Sequence, residues 1–133
     1  MTRRIMLDTN MVSHVIRQDG NALSNFLAAD PRQLCISAIS YGEITFGLAK
    51  RPQAVNLARL LHSLLIGIDI LPWTRETADI YGSLRAGLER SGLSIGNLDL
   101  LIAAHAMQVG ATLVTADRDF AVVDGLSVEN WVL

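Results

Sequence analysis

The fold of this chain is decided by residues 98–114, which read LDLLIAAHAMQVGATLV. Apolar residues occupy every side of the first part, so we predict a buried helix that begins at Asn97 or Leu98 and ends at Gly110. The last part predicts a short buried strand over 112–115. A buried helix that leads directly into a buried strand is typical of a parallel sheet covered by helices on both faces.

The rest of the chain alternates in the same way between short apolar runs and amphipathic segments. The pattern predicts strands at 4–7, 34–38, 68–71, 112–115 and 126–129, and helices at 10–17, 21–29, 40–50, 53–67, 75–91 and 97–110. The connections are long enough for crossovers, which indicates an α/β/α sandwich with a mainly parallel central sheet. Since no linker or repeat divides the sequence, we expect residues 1–133 to form a single domain.

The amino-acid composition limits the classes of protein to which this chain can belong. Half of the 133 residues are hydrophobic, which is enough for a core, and the single Cys35 excludes a disulfide framework within the chain. Polar residues interrupt the apolar stretches near the N-terminus and within 98–114, so we expect neither a signal peptide nor a membrane span, and a cytoplasmic location.

The net charge of −2 provides no general basic field for nucleic acid, yet ten of the eleven basic residues are arginine. Arginine binds phosphate well, although arginine richness can equally reflect genome composition. The candidates for phosphate contacts are Arg3, Arg4, Arg17, Arg51 and Arg118.

Four acidic residues lie where apolar runs end or begin. Asp8 closes the first strand, Glu43 follows the second, Asp99 opens the buried helix, and Asp117 follows the strand at 112–115. Open α/β sheets gather their functional groups at the carboxyl edge of the strands, so we predict that these side chains meet. Carboxylate oxygens of this kind suit Mg²⁺ or Mn²⁺.

Some of these acids also have a purely structural explanation. Asp8 could cap the helix that follows it, but Thr9 and Asn10 could do so as well, and three polar groups after a buried strand favour a site. Glu43 fits the last position of a capping box begun by Ser40, and taken alone that explanation is the stronger one.

For the other acidic residues and for His105, the balance between a functional and a structural role differs from residue to residue. Asp99 occupies the first turn of a buried helix, where a charge is costly unless it is paired or binds a metal ion, and this favours a functional role. Asp117 and Asp119 flank Arg118 in a turn, where aspartate is common, and Asp117 is nearer to the strand. We predict that His105, which lies among alanines, is a hydrogen-bonded core residue.

Motifs of other enzyme classes are missing. The sequence contains no GxxxxGK, GxGxxG or GxSxG, so nucleotide-cofactor and serine-hydrolase functions have no support. A phosphatase of the haloacid-dehalogenase kind would need an acid in place of Asn10.

Taken together, several segments resemble the VapC-type toxin ribonucleases of the PIN-domain family. The segments are MLDTN (6–10), ISAISYGE (36–43), IGNLDLLIAAHA (95–106), GATLVTAD (110–117) and VENWV (128–132). They occur in order over nearly the whole chain, at family-like intervals. One local departure is Leu98, which stands where many members have asparagine, with Asn97 one position earlier.

The resemblance implies a PIN-like fold and a cytoplasmic endoribonuclease that is the toxin of a type II toxin–antitoxin pair. Such a protein is usually a homodimer, and its antitoxin blocks the site with a C-terminal segment. Asp8 and Asp99 would bind Mg²⁺ or Mn²⁺, and Glu43 and Asp117 would complete the catalytic set. The supporting residues implied are Thr9, Asn10, Thr115 and Asp119.

The expected reaction is metal-assisted hydrolysis of structured RNA, such as tRNA, to 5′-phosphate and 3′-hydroxyl ends. The alternative is a non-catalytic PIN-like module that only binds protein or RNA.

Overall fold

The computed structural model describes residues 3–133 and places a five-stranded parallel sheet between two layers of helices. The strands are β1 (Ile5–Leu7), β2 (Leu34–Ser37), β3 (Asp69–Leu71), β4 (Thr112–Val114) and β5 (Val128–Glu129). The helices are α1 (Thr9–Arg17), α2 (Ala22–Ala28), α3 (Ala38–Ala49), α4 (Val55–Leu65), α5 (Arg75–Arg90) and α6 (Asn97–Val109), and 3₁₀ turns lie at Pro31–Gln33 and Arg118–Val122. The predicted α/β/α sandwich is confirmed.

Strand order is β3-β2-β1-β4-β5, with β1 at the centre. Ile5 pairs with Leu34 on one side and with Thr112 on the other, and every pairing is parallel. The carboxyl ends of β1, β2 and β4 therefore lie side by side, and the chain leaves each of them towards a helix or a 3₁₀ turn.

Side chains alternate between the two faces of the sheet and form two cores. Leu7 and Val114 pack with helices α1, α2 and α4 on one face, together with Trp131. Met6 and Leu113 pack with helix α6 and the second 3₁₀ turn on the other face. Because each central strand is buried on both sides, its sequence is continuously apolar instead of alternating.

Helix α6 begins at Asn97 and ends before Gly110, as the sequence predicts. Gly110 has a φ of 69°, and its backbone N–H caps the helix from this left-handed conformation, which glycine adopts without strain. His105 of this helix is fully buried, and its Nδ1 lies 2.7 Å from the hydroxyl of Ser37, which confirms a hydrogen-bonded core histidine. Burial lowers the pKa of His105, and the backbone of Pro72 opposes this effect.

Helix α3 differs from the predicted helix at its start. The capping box at Ser40 is wrong, because the helix already begins at Ala38 and is capped by Ser37, whose hydroxyl accepts a hydrogen bond from the Ile39 N–H at 3.1 Å. Ser40 lies inside the first turn with a buried hydroxyl, and Glu43 falls in the second turn. The carboxylate of Glu43 is therefore free for a contact with another helix.

The C-terminal segment closes over the loop between α1 and α2. The backbone N–H of Asn21 donates to the carbonyl of Val132 at 3.0 Å, and the Asn25 amide donates to the carbonyl of Trp131 at 2.9 Å. Gly20 has a φ of 49° and lies so close to Val132 that a Cβ atom would overlap its carbonyl oxygen. Only glycine fits this crossing without a shift of the backbone. Within residues 3–133, no helix is both long enough and apolar enough to cross a membrane.

Candidate active site

Asp8 lies at the carboxyl end of the central strand and is only 4% exposed. Its Oδ1 accepts a hydrogen bond from the Met11 N–H at 2.7 Å, so the residue caps helix α1. Burial raises the pKa of the Asp8 carboxyl, and the Thr115 hydroxyl and the Met11 amide oppose this effect. One bond to a backbone amide leaves further carboxylate lone pairs available for a ligand.

Asp99 occupies the first turn of α6, as expected. Its pKa is raised from 3.8 to about 6, first by burial and then by the negative charges of Asp117, Asp8, Glu43 and Asp119, in that order. With Asp99, these residues come from four different parts of the chain. The other three acids that the sequence singles out, Asp8, Glu43 and Asp117, thus act on Asp99 through their charges, and Asp119 does so as well.

The fourth acidic position follows strand β4. Asp117 caps the 3₁₀ turn, and its Oδ1 accepts a hydrogen bond from the Asp119 N–H at 2.9 Å. The buried Thr115 hydroxyl accepts a bond from the Asp117 N–H at 3.0 Å. Asp117 is half-buried and Asp119 is exposed. The charge of Asp117 also raises the pKa of Asp99 more than that of Asp119 does, which favours Asp117 as the fourth acid.

Glu43 reaches this group from helix α3. Its Oε1 accepts a hydrogen bond from the hydroxyl of Thr9 at 2.7 Å, a contact between side chains 34 positions apart. Thr9 is the first residue of α1 and follows Asp8 directly. The polar residues after β1 thus have separate tasks: Asp8 caps the helix, Thr9 bonds Glu43, and Asn10 is exposed to solvent.

Leu98 and Asn97, where the sequence departs from the family pattern, are both exposed at the start of α6. Neither is among the residues that raise the pKa of Asp99.

A groove of about 340 Å³ opens beside Glu43 and Thr9. Its walls include several apolar side chains, and three cationic residues line it as well. The lining residues are Thr9, Ser13, Ile16, Arg17, Glu43, Ile44, Gly47, Leu48, Lys50, Arg51, Leu57 and Leu61. The groove was not predicted from the sequence, although helical spacing offers a signal, because Ser13 follows Thr9 and Gly47 follows Glu43 by four residues.

The arginines proposed as phosphate contacts do not all lie near the acids. Arg17 and Arg51 line the groove, and Arg118 begins the turn after Asp117. Arg4 does not lie near them, because its guanidinium bonds Asp69 at 2.9 Å and faces the Arg32 carbonyl at 3.4 Å, at the amino ends of β3 and β2. The carbonyl of Arg3 accepts from Gln33 at the same edge. That edge is opposite to the acids in a parallel sheet, so the structure gives Arg3 and Arg4 no support as phosphate contacts beside the acids.

The donor set consists of carboxylate and hydroxyl oxygens, which fits a hard divalent cation. In the part of the chain that the structure describes, no three acidic, histidine or cysteine side chains are close enough to form a complete metal-binding cluster. The other acids act on Asp99 through their charges, which raise its pKa. Mg²⁺ is commonly held by one or two carboxylates and keeps several of its waters.

Comparison with known proteins identifies the family of this chain. The PIN domain family matches residues 5–126. The chain belongs to the PIN-domain family.

Within that family, the chain belongs to the VapC ribonucleases. It is 36% identical to "Ribonuclease VapC2" of Rickettsia felis, over 95% of this chain and 96% of the relative. It is 30% identical to "tRNA(fMet)-specific endonuclease VapC" of Shigella flexneri, over 96% and 98%. A solved VapBC2 structure from Rickettsia felis, bound to a DNA fragment from its promoter, superposes on this PIN domain with a TM-score of 0.87 and 33% identity over 96% of this chain and 98% of that one.

Proposed function

We propose that this PIN domain is a divalent-metal-dependent endoribonuclease, that it is the toxin of a type II toxin–antitoxin pair, and that residues 1–133 form one catalytic domain. The observation that carries the proposal is the convergence of Asp8, Glu43 and Asp117 around Asp99, whose pKa they raise to about 6 together with burial. Mutually repelling carboxylates at the edge of a sheet are unfavourable by themselves and become favourable when a cation binds.

Asp8 and Asp99 are our candidate ligands for Mg²⁺ or Mn²⁺. Both lie at fixed backbone positions, one as the cap of α1 and the other in the first turn of α6. When bound, the ion supplies activation of the attacking water and neutralises charge at the phosphate. Glu43 and Asp117 flank these ligands, and we assign to them the orientation of the attacking water and the acceptance of its proton. The expected products carry 5′-phosphate and 3′-hydroxyl ends.

Paired aspartate variants test the catalytic proposal. We expect Asp8→Asn and Asp99→Asn each to lower kcat for RNA cleavage by about 100-fold or more, since each removes an ion ligand. Asp79→Asn, on the exposed surface of α5, is the matched control and should cleave as the parent does. Activity should vanish with a chelator and return with Mg²⁺ or Mn²⁺. If Asp99→Asn cleaved RNA as fast as the parent, the non-catalytic binding module would be the better account.

We further propose a structured RNA, such as tRNA, as the substrate. The Shigella flexneri relative carries a name that specifies tRNA(fMet), and the groove beside Glu43 offers cationic side chains for phosphates. Among residues 3–133, Lys50 and Arg51 form no ion pair with a carboxylate, whereas Arg17 is paired with Asp19 at 2.9 Å. Sequencing of 5′-phosphate RNA ends after expression tests this, and one dominant cut in a tRNA is the expected result.

The antitoxin is the second proposed partner. Several solved neighbours are VapBC toxin–antitoxin complexes, and apolar side chains in the groove wall offer contacts to a partner protein. Co-expression with the product of the neighbouring gene should relieve growth arrest and yield a co-purifying complex. Arrest that persists beside a soluble partner would contradict the proposal.

We also propose a homodimer. Of the helical faces at 53–67 and 75–91, the first is better suited to a dimer contact, because Val55, Leu60 and Ile66 are exposed there. Among the described residues of α5, no large hydrophobic side chain is exposed, so the face at 75–91 has less support. Light scattering with size-exclusion chromatography should give twice the mass of the chain. A monomer at high concentration would remove this proposal.

A further inference from the structure

We propose that Thr9 is a positioning residue that holds the Glu43 carboxylate against the repulsion of the other acids. The inference rests on the function proposed above and adds a role for one hydroxyl within it. The carrying observation is the 2.7 Å bond from Thr9 Oγ1 to Glu43 Oε1. That length is typical of a hydroxyl that donates to an ionised carboxylate.

Without this bond, the Glu43 side chain has little to hold it near the site. The charge of Glu43 is among those that raise the pKa of Asp99, so the acids repel it. One helical turn further along α3 lies Gly47, which offers no side chain, and the open groove lies beside it. Within residues 3–133, Glu43 forms no ion pair. A flexible glutamate in this setting would rotate away from the acids.

Thr9 is well placed to prevent this rotation. It is the first residue of α1, and the Asp8 cap fixes the backbone on its N-terminal side. A threonine inside a helix often bonds the carbonyl four residues earlier, but at this position that carbonyl belongs to β1 and not to the helix. The hydroxyl is therefore available for α3. Since Thr9 follows Asp8 directly, the bond also fixes Glu43 relative to a candidate ion ligand.

Removal of the hydroxyl with little change in shape tests the role. In Thr9→Val we expect kcat for RNA cleavage to fall by about 10- to 100-fold with KM nearly unchanged, as for a lost hydrogen bond to a charged group. Thr9→Ser keeps the donor and should restore most of the rate. Thr45→Val is the matched control, because the Thr45 hydroxyl bonds only the Gly42 carbonyl on the exposed side of α3.

A double variant shows whether the loss of RNA cleavage in Thr9→Val arises from the position of Glu43 or from an effect of Thr9 that does not involve Glu43. If Thr9 acts through Glu43, Thr9→Val should cost nothing further in a Glu43→Ala background, which has no acceptor for the Thr9 hydroxyl. An equal loss in both backgrounds would overturn the inference. Thermal unfolding of each variant shows whether the fold is retained, and Thr9→Ser keeps the test valid if Thr9→Val unfolds.

Ion binding gives a readout that does not depend on turnover. Electron paramagnetic resonance of added Mn²⁺ should show binding that is about 3- to 10-fold weaker in Thr9→Val than in the parent, and near the parent value in Thr9→Ser. A parent that neither cleaves RNA nor binds Mn²⁺ overturns the proposed function. A parent that does both, with Thr9→Val unchanged in kcat and Mn²⁺ affinity, overturns the role of Thr9 alone.

Discussion

We expect Asp99→Asn to make the metal-free protein more stable near neutral pH, although it removes a candidate catalytic group. The folded protein raises the pKa of Asp99 from 3.8 to about 6, so its ionised form is disfavoured by folding. Asparagine has nearly the same shape and no charge. The substitution therefore removes a charge that burial and the surrounding acids oppose.

The size of the effect follows from the pKa. A rise from 3.8 to about 6 corresponds to at most about 3 kcal/mol of lost stability above pH ~6. The side chain is only half-buried, so solvent screening reduces this limit, and we expect a gain of about 1 kcal/mol. For a chain of this length, that gain raises Tm by roughly 3–5 °C.

The stability gain of Asp99→Asn should depend on pH, and this dependence tests the sign of the effect independently. Because the folded pKa lies above the unfolded value, the penalty is largely complete above pH ~6, shrinks as the pH falls below that value, and is lost only below pH ~3.8, where Asp99 is mainly protonated in both states. The stability difference between Asp99→Asn and the parent should shrink in the same interval. Urea unfolding with chelator present, at a series of pH values, measures it.

Divalent ions should reverse the order of stability. Binding of Mg²⁺ to the folded state stabilises the parent by linkage, and the variant has lost a ligand. The exposed Asp79→Asn control should stay within about 0.5 kcal/mol of the parent at every pH. The reasoning is refuted if metal-free Asp99→Asn is no more stable than the parent at about pH 7.5, or if Mg²⁺ raises both Tm values equally.

Three further predictions concern the scaffold and the arginines. Gly20→Ala should lower the free energy of unfolding by about 2 kcal/mol or more, because a Cβ at a φ of 49° overlaps the C-terminal segment. Gly82→Ala, which lies in open space on α5, should raise the free energy of unfolding by about 0.5–1 kcal/mol. Chemical denaturation measures both. Ser37→Ala should cost about 2–3 kcal/mol in the same assay, since it removes the cap of α3 and the partner of a buried histidine. Arg51→Gln should raise KM for RNA by about 3- to 10-fold and weaken the salt dependence of KM. Arg4→Gln, at the opposite edge of the sheet, should leave KM within about 2-fold of the parent value. Equal effects of the two substitutions on KM would contradict the placement of the site.

Local sequence signals were sufficient for the elements of this fold. The apolar run over 98–114 gave the buried helix and the strand after it, because solvent exclusion on all sides leaves a pattern that depends only on neighbouring residues. The position of Asp99 in the first turn and of Asp8 at a strand end followed from the same short-range patterns.

The capping box at Ser40 shows where such signals fail. Ser37 and Ser40 both precede helical residues, and the sequence favours the second because a glutamate follows at the right spacing. The structure uses Ser37, since its hydroxyl also bonds His105, which lies 68 residues away on α6. A contact with so distant a residue leaves no trace in the local pattern.

The sequence by itself determined which residues are acidic, which segments are helix or strand, and that Asp8 and Asp117 follow strands while Asp99 opens a helix. Only the tertiary structure decided that Thr9 bonds Glu43, that Arg4 faces the edge away from the acids, and that a groove joins α1 and α3. The physical reason is the distance along the chain over which each interaction acts. Periodicity and capping act over a few residues, whereas strand order and helix contacts join side chains that are far apart in the chain and whose energies depend on the complete packing.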